Sequence, residues 1–228
     1  MIEKDLLIES TTLWDYPTQN YGTKSHGNNK YNGVTPAFVI WNLLQRYTKE
    51  GDLVVDPMSG SGTTYDVAKE LNRKVRCFDL NIVREEVEKA DARELPLNNE
   101  IADFVFIDSP YSDNINYSDN PNCIGKISCE KVDFYNELEK VSLEIKRILK
   151  NNKCFGWLIG DQWIRKKFTP TGFLLYERLL KHFETVDIIT ITRHNQTSNT
   201  GIWHYRARKY NFFLRGFKYL FIMKKVQK

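Results

Sequence analysis

Short apolar runs alternate with longer amphipathic stretches along most of this chain. Strand-like runs stand at 53–56 (LVVD), 75–79 (VRCFD), 103–107 (DFVFI), 154–160 (CFGWLIG), 186–192 (VDIITIT) and 218–223 (KYLFIM). Apolar positions recur at helical spacing over 36–48, 63–72, 132–149 and 171–182. The third of these opens acidic and closes basic, and the fourth follows Thr169-Pro170, both signs of a helix boundary. Strand and helix in alternation predict an α/β fold, with a mostly parallel sheet covered by helices on both faces. No helical pattern separates the last two strands, so they are expected to form an antiparallel pair at one sheet edge, joined by the long segment Arg193 to Arg215. Two stretches read as irregular: 14–35, rich in Gly, Asn, Tyr and His, and 112–131, rich in Asn, Ser and Asp. Loops of that length inside a compact domain are usually functional or mobile.

The 228 residues fit one α/β domain, 1–228, and 41% hydrophobic with 27% charged residues is the balance of a globular chain. No stretch reaches the roughly 20 apolar residues of a membrane-spanning helix, and MIEKDLLIES lacks a signal peptide's apolar run, so a cytoplasmic protein without membrane attachment is expected. The net charge of +4 is compatible with a polyanionic partner without requiring one. Its distribution says more. From Arg193 onward the only acidic group is the terminal carboxylate, while nine lysines and arginines fall there among aromatic residues. Phosphate contacts and base stacking would use such a segment, and a solvated basic hairpin would look the same. Cys77 and Cys154 sit in apolar runs, and Cys123 and Cys129 lack the spacing and histidine partners of a zinc site, so no metal and no disulfide are expected.

Three motifs carry chemistry. In Leu53 to Thr64 (LVVDPMSGSGTT) a buried strand ends in Asp56, and the turn through Pro57, Met58, Gly60 and Gly62 leads into a helix opening with Thr63 and Thr64. A glycine turn lets backbone approach a ligand at the helix N-terminus, where α/β proteins bind cofactors. Dinucleotide binding is the competing reading, although the spacing is not GxGxxG. Twenty-three residues beyond Asp56, the next strand ends in Asp79, followed by Leu80; its carboxylate suits ribose hydroxyls, or alternatively caps a helix. Asp91, beside Ala92 in ADARELPL, falls near the same crevice and could accept a bond from an adenine amine. The third motif, Asp103 to Tyr111 (DFVFIDSPY), delivers Asp108, Ser109, Pro110 and Tyr111 to the same edge of the sheet.

Asp56 to Thr64 resembles the cofactor motif DPFxGxGTT of the S-adenosylmethionine-dependent amino-methyltransferases of DNA, and Asp108 to Tyr111 resembles their catalytic D/S/N-P-P-Y/F motif, with Ser109 standing where that pattern has its first proline. The segments LWDYPTQNYG and KYNGVTPAFVIWNLLQRYTKEGDLVVD, which include Thr35 and Pro36, resemble the family region beside the methionine part of the cofactor. RHNQTSNTGIWHYRARKYNFFLRGFKYLFIMKK resembles the loop and strand pair that face the target base. The resemblance implies a Rossmann-like methyltransferase fold, with a mostly parallel seven-stranded sheet and an antiparallel edge hairpin. It implies S-adenosyl-L-methionine as cofactor and double-stranded DNA as partner, with the cofactor motif ahead of the catalytic one.

By the family's logic, the Asp108 carboxylate and Ser109 carbonyl accept hydrogen bonds from an exocyclic amine, and Tyr111 stacks on the flipped base. Aspartate at the first motif position favours adenine N6 over cytosine N4. Trp203, His204 and Tyr205 could line the base pocket or simply pack, and Arg193, Asn195, Arg206 and Arg208 are the expected nucleic-acid contacts. No large target-recognition domain is visible, so a homodimer or a specificity partner could supply recognition. Two rival readings remain at this point: an RNA base amino-methyltransferase, and a catalytically silent nucleic-acid-binding subunit.

Overall fold

The computed structural model describes residues 7–28, 33–194 and 200–227. Its elements are β1 (Leu13–Trp14), α1 (Ala37–Tyr47), β2 (Leu53–Asp56), α2 (Thr63–Glu70), β3 (Lys74–Asp79), β4 (Val87–Lys89) and β5 (Ala102–Asp108), then α3 (Val132–Ile148), β6 (Leu149–Ile159), β7 (Gln162–Ile164), β8 (Lys167–Thr169), α4 (Thr171–Leu180), β9 (Glu184–Thr192), α5 (Gly201–Lys209) and β10 (Phe217–Lys224). The expected strands and helices are present within a few residues of their predicted bounds; β6 differs most, starting five residues earlier.

Eight strands pair in the order β1-β9-β10-β6-β5-β2-β3-β4. Only β10 runs against the rest, antiparallel to both β9 and β6. The sheet is therefore mostly parallel and Rossmann-like, with two amendments to the expectation. Two residues of β1 pair in parallel outside β9, making an eighth strand and moving the antiparallel pair one place in from the edge. The connection from β9 to β10, expected to hold no helix, contains α5.

Side-chain alternation along each strand feeds two cores. On one face, Val55, Val105, Ile107 and Trp157 pack under Leu138, Val141 and Ile145 of α3 and Leu175 and Leu179 of α4. On the other, Val54, Phe104, Phe106, Leu158 and Leu220 meet Ile40, Leu43 and Leu44 of α1 and Val67 of α2. The chain runs outward from β2 through β3 to β4, then returns to place β5 on the other side of β2. Neighbouring strands that leave in opposite directions open a crevice at their C-terminal ends, and Asp56 and Asp108 are the last residues of those two strands.

The first irregular stretch is pinned where it is described. Gln19 Nε2 donates to the Thr35 carbonyl at 2.8 Å, Gly27 N–H to Asp66 at 2.7 Å, and buried His26 pairs with Glu70 at 3.1 Å. These bonds seat the segment before α1 along α2.

Candidate active site

The crevice is a cleft of about 930 Å³ at the C-terminal ends of the parallel strands. Thr35, Pro36, Asp56, Pro57, Met58, Gly60, Thr63, Thr64, Asp79, Leu80, Asp91, Ala92 and Asp108 to Tyr111 all border it, so all three sequence motifs converge on one space.

Asp56 points from the end of β2 toward α2. Its carboxyl accepts the Thr64 hydroxyl at 2.5 Å and the Met58 N–H at 3.0 Å. Burial pushes its pKa up to about 7, against the pull of those two bonds, and the nearby charges of Asp79 and Asp108 add to the rise. Asp79 accepts the N–H groups of Gly60 and Asn81, both at 2.9 Å, and burial likewise lifts it above the usual carboxylate range. Gly60 takes a positive φ of 47° at this turn, bending the backbone so that its N–H reaches Asp79.

Two of the cofactor residues expected from sequence have other partners. Gly62 does not border the cleft. Its φ is 82°, and a Cβ there would lie 2.6 Å from Arg84 Cδ, so the glycine makes room for the Arg84 guanidinium bridging Asp66 and Glu86. Asp91 borders the cleft, but its carboxylate holds Arg93, through Nε at 2.8 Å and a second nitrogen at 2.5 Å. Burial would raise the Asp91 pKa; the bonds from Arg93 outweigh it and hold the group below the usual carboxylate range.

Asp108 has three side-chain partners. Strand alternation sets it on the same face as Phe104 and Phe106, toward α1. One oxygen accepts the Thr35 hydroxyl at 2.5 Å, and the other the Tyr111 hydroxyl at 2.8 Å. Lys218 Nζ lies 3.7 Å from the Thr35-bonded oxygen and 5.3 Å from the centre of the Tyr111 ring. Burial pulls the Lys218 ammonium below the ordinary lysine range, with Asp108 opposing that shift, and burial together with the Asp108 charge drives the Tyr111 phenol upward.

Sequence reasoning counted Lys218 only as one of the basic C-terminal residues. A lysine opening an otherwise apolar strand was the available signal, because on β10 it shares a face with Leu220 and Ile222.

Ser109, which departs from the family's proline, is 2% exposed, and its hydroxyl accepts the indole N–H of fully buried Trp157 at 3.0 Å. A proline there would leave that N–H without its acceptor. The turn is thus held by a hydrogen bond in place of a ring.

At the far side, Arg193 and Trp203 border the cleft, together with Trp163, Phe212 and Arg215, which were not singled out from sequence. His204, Tyr205, Arg206 and Arg208 lie on α5, which buries no side chain, and none of the four borders the cleft. Asn195 lies outside the described residues. All four cysteines carry free thiols, and among the described residues no cluster of His, Cys, Asp or Glu has the arrangement of a metal site. Among the same residues, no helix is long and apolar enough to cross a membrane.

Comparison with known proteins agrees with this geometry. Among solved structures, the fold resembles TrmN from Thermus thermophilus (TM-score 0.56, 16% identity, 86% of this chain and 50% of that one). It also resembles a SAM-dependent methyltransferase from Methanosarcina mazei (TM-score 0.56, 14% identity, 82% and 98%). In sequence, the chain is 34% identical over 89 residues to the type II methyltransferase M.BamHI of Bacillus amyloliquefaciens, covering 37% of this chain and 20% of that protein. It is 41% identical over 69 residues to a probable type III restriction-modification enzyme HindVI Mod subunit of Haemophilus influenzae, covering 30% of this chain and 9% of that protein. The chain thus matches a fifth or less of the length of these curated relatives. The family described as DNA methylase matches residues 4–89, the span that holds Thr35, the glycine turn and Asp79 but stops short of Asp108. By that match, residues 4–89 are similar to the family described as DNA methylase, and the remainder of the chain lies outside the matched span.

Proposed function

We propose that the protein transfers a methyl group from S-adenosyl-L-methionine to the exocyclic amine of a flipped-out base in double-stranded DNA, with adenine N6 ahead of cytosine N4. The observation that carries this reading is Asp108, a carboxylate at the tip of β5, facing the cleft that also receives Asp56, Asp79 and the glycine turn. A restriction-modification system or a stand-alone methylase is the biological setting we infer, and target recognition would draw on a second copy or a specificity partner.

The cleft fits the cofactor by its chemistry. Carboxyl groups whose ionisation is opposed by burial and by each other gain from a cation placed among them, and S-adenosylmethionine carries a sulfonium and an ammonium. Thr35, Pro36, Asp56, Met58, Gly60 and the start of α2 would hold its amino-acid portion, and Asp79 with Leu80 its ribose. Ala92 and the Asp91 backbone remain for the adenine edge, since Arg93 occupies the Asp91 carboxylate. Bound there, the cofactor supplies an electrophilic methyl group.

The chain's own residues have to make a poor nucleophile attack, because the lone pair of an exocyclic amine is delocalised into its ring. Asp108 and the Ser109 carbonyl accept its two N–H bonds and draw electron density onto the nitrogen. Each Asp108 oxygen already accepts one bond, and a carboxylate oxygen has about two acceptor positions, so one stays open on each. Lys218 and Thr35 fix the carboxylate's orientation. After transfer the nitrogen bears one proton too many, and Asp108 is placed to take it. The Tyr111 ring borders the cleft and would stack on the base.

The test is incubation with S-adenosylmethionine carrying a labelled methyl group and unmethylated genomic DNA, followed by digestion to nucleosides. Labelled N6-methyladenine supports the reading, and N4-methylcytosine corrects the target base. Label in RNA alone overturns the choice of DNA. No label in either, with the cofactor bound, makes a partner subunit obligatory.

A further inference from the structure

Strands β7 and β8 form a separate two-stranded hairpin, registered Gln162 to Thr169, Trp163 to Phe168 and Ile164 to Lys167, so Arg165 and Lys166 make a two-residue turn. Both have positive φ, 52° and 63°, as the type I′ turn that matches strand twist requires. Asn-Gly adopts that conformation cheaply, whereas two long cationic side chains do so against their backbone preference. Arg165, Lys166 and Lys167 are all exposed, and the hairpin contains no acidic residue. Lys167 has Glu130 at 3.7 Å, while among the described residues no carboxylate lies within ion-pair distance of Arg165 or Lys166.

The root of the hairpin is as fixed as its tip is open. Just before it, Asp161 accepts the Gly172 N–H at 3.0 Å and the Tyr219 hydroxyl at 3.2 Å, and Gln162 and Thr169 are buried. On the cleft side, Trp163 stacks on Phe212 with centroids 5.8 Å apart and planes 12° apart, and the Arg215 guanidinium sits 5.0 Å over the Phe168 ring. Trp163, Phe212 and Arg215 border the cleft, so the cationic turn begins two residues, roughly 7 Å of extended chain, from its rim. An anchored arm ending in unpaired positive charge beside aromatic faces matches a polyanion that enters the same opening.

We propose that the β7–β8 hairpin is a second nucleic-acid contact, whose Arg165-Lys166-Lys167 turn grips the phosphate backbone of duplex DNA next to the target base. It rests on the DNA reading above and adds a contact that neither the motifs nor the basic C-terminal segment supply.

The variant that tests it is R165N/K166G, which installs the preferred turn sequence and removes two charges, so the hairpin keeps its fold. Binding to a 20-base-pair DNA duplex and to an RNA duplex of the same length would be titrated across salt concentration, with S-adenosylmethionine affinity as a check on the cleft. The DNA log-log salt slope should shrink by about 1 to 2, and affinity at low salt should fall at least about fivefold, with cofactor affinity unchanged. An unchanged DNA slope overturns the inference while leaving the methyltransferase reading intact, and so does a change seen with RNA alone. If the wild-type protein binds no duplex DNA, the hairpin inference falls, while the methyltransferase reading is decided separately by the labelling experiment.

Discussion

Asp108 has three partners from three distant parts of the chain, Thr35 before α1, Tyr111 after β5 and Lys218 on β10, and their removal should separate binding from chemistry. Asp108→Ala is expected to lower single-turnover methyl transfer at least about a hundredfold while S-adenosylmethionine affinity stays within a few-fold, the pattern of a group acting on the transition state. Lys218→Met should lower turnover about tenfold, with cofactor affinity again unchanged, because Thr35 and Tyr111 still hold the carboxylate but less firmly. Asp56 gives a pH signature. Its folded pKa of about 7 stands above its unfolded value of 3.8, so the stability it contributes is complete below pH 4 and is lost as pH rises through 7. Cofactor affinity should move the opposite way. A cation favours the ionised form, and about a tenth of a group with pKa 7 is ionised at pH 6, so affinity should rise roughly tenfold between pH 6 and 8. Titration calorimetry on Asp56→Asn should show a flat profile. Ser109→Pro, which restores the family's residue, should cost about 1 to 3 kcal/mol in urea unfolding because the buried Trp157 N–H loses its acceptor; an unchanged midpoint would show that the bond does not hold the turn.

The elements that sequence reveals are those whose apolar positions repeat. β2, β3, β5, β6, β9 and β10 are apolar runs, α1 to α4 each carry a buried stripe, and all were legible. What stayed hidden has no such period. Helix α5 buries nothing and so shows no apolar face. β4 contributes a single buried side chain, Val87, β1 has two residues, and the β7–β8 turn uses Arg-Lys where Asn-Gly would have marked a hairpin. The site was legible in the same measure: strand-end acids and a glycine turn declare themselves, whereas the role of Lys218 and the Ser109–Trp157 bond depend on contacts across the fold, and the capture of Asp91 by Arg93, two residues on, depends on a local turn that carries no periodic signal. Arg73 is another such contact. Nearly buried, it donates to the Leu44 and Thr48 carbonyls at the C-terminal end of α1 and to Leu71 after α2, tying the ends of both helices together. Arg73→Met keeps the apolar stem and strips the donors, and should lower unfolding stability by about 2 kcal/mol in urea. Loss of cofactor affinity without loss of stability would assign Arg73 to the site instead.

Charge is unevenly placed over the whole molecule. Carboxyl groups gather inside the cleft, while cations gather in the hairpin turn and in the segment from Arg193 onward. An acidic interior suits a cationic cofactor, and a basic rim suits a polyanion, so one opening can take both without either ligand meeting its own charge. On α5, the Arg206 guanidinium lies 4.9 Å over the Trp203 ring and Lys209 Nζ 5.6 Å over Tyr205, which braces long side chains on a helix with no core contact. A nine-residue helix that buries nothing is marginal by itself, so a polyanion laid along it would stabilise the helix as well as bind it. Replacing Arg206 and Arg208 by alanine, which retains helix propensity, should therefore weaken duplex DNA binding and flatten its log-log salt slope by roughly 1 to 2. Because, among the described residues, α5 and the β7–β8 hairpin share no ion pair or hydrogen bond, they would act through separate phosphates, and the slope changes of the two variants should add when combined. A combined slope no smaller than either single one would mean that both elements reach the same phosphates, and that the basic rim is one contact surface rather than two.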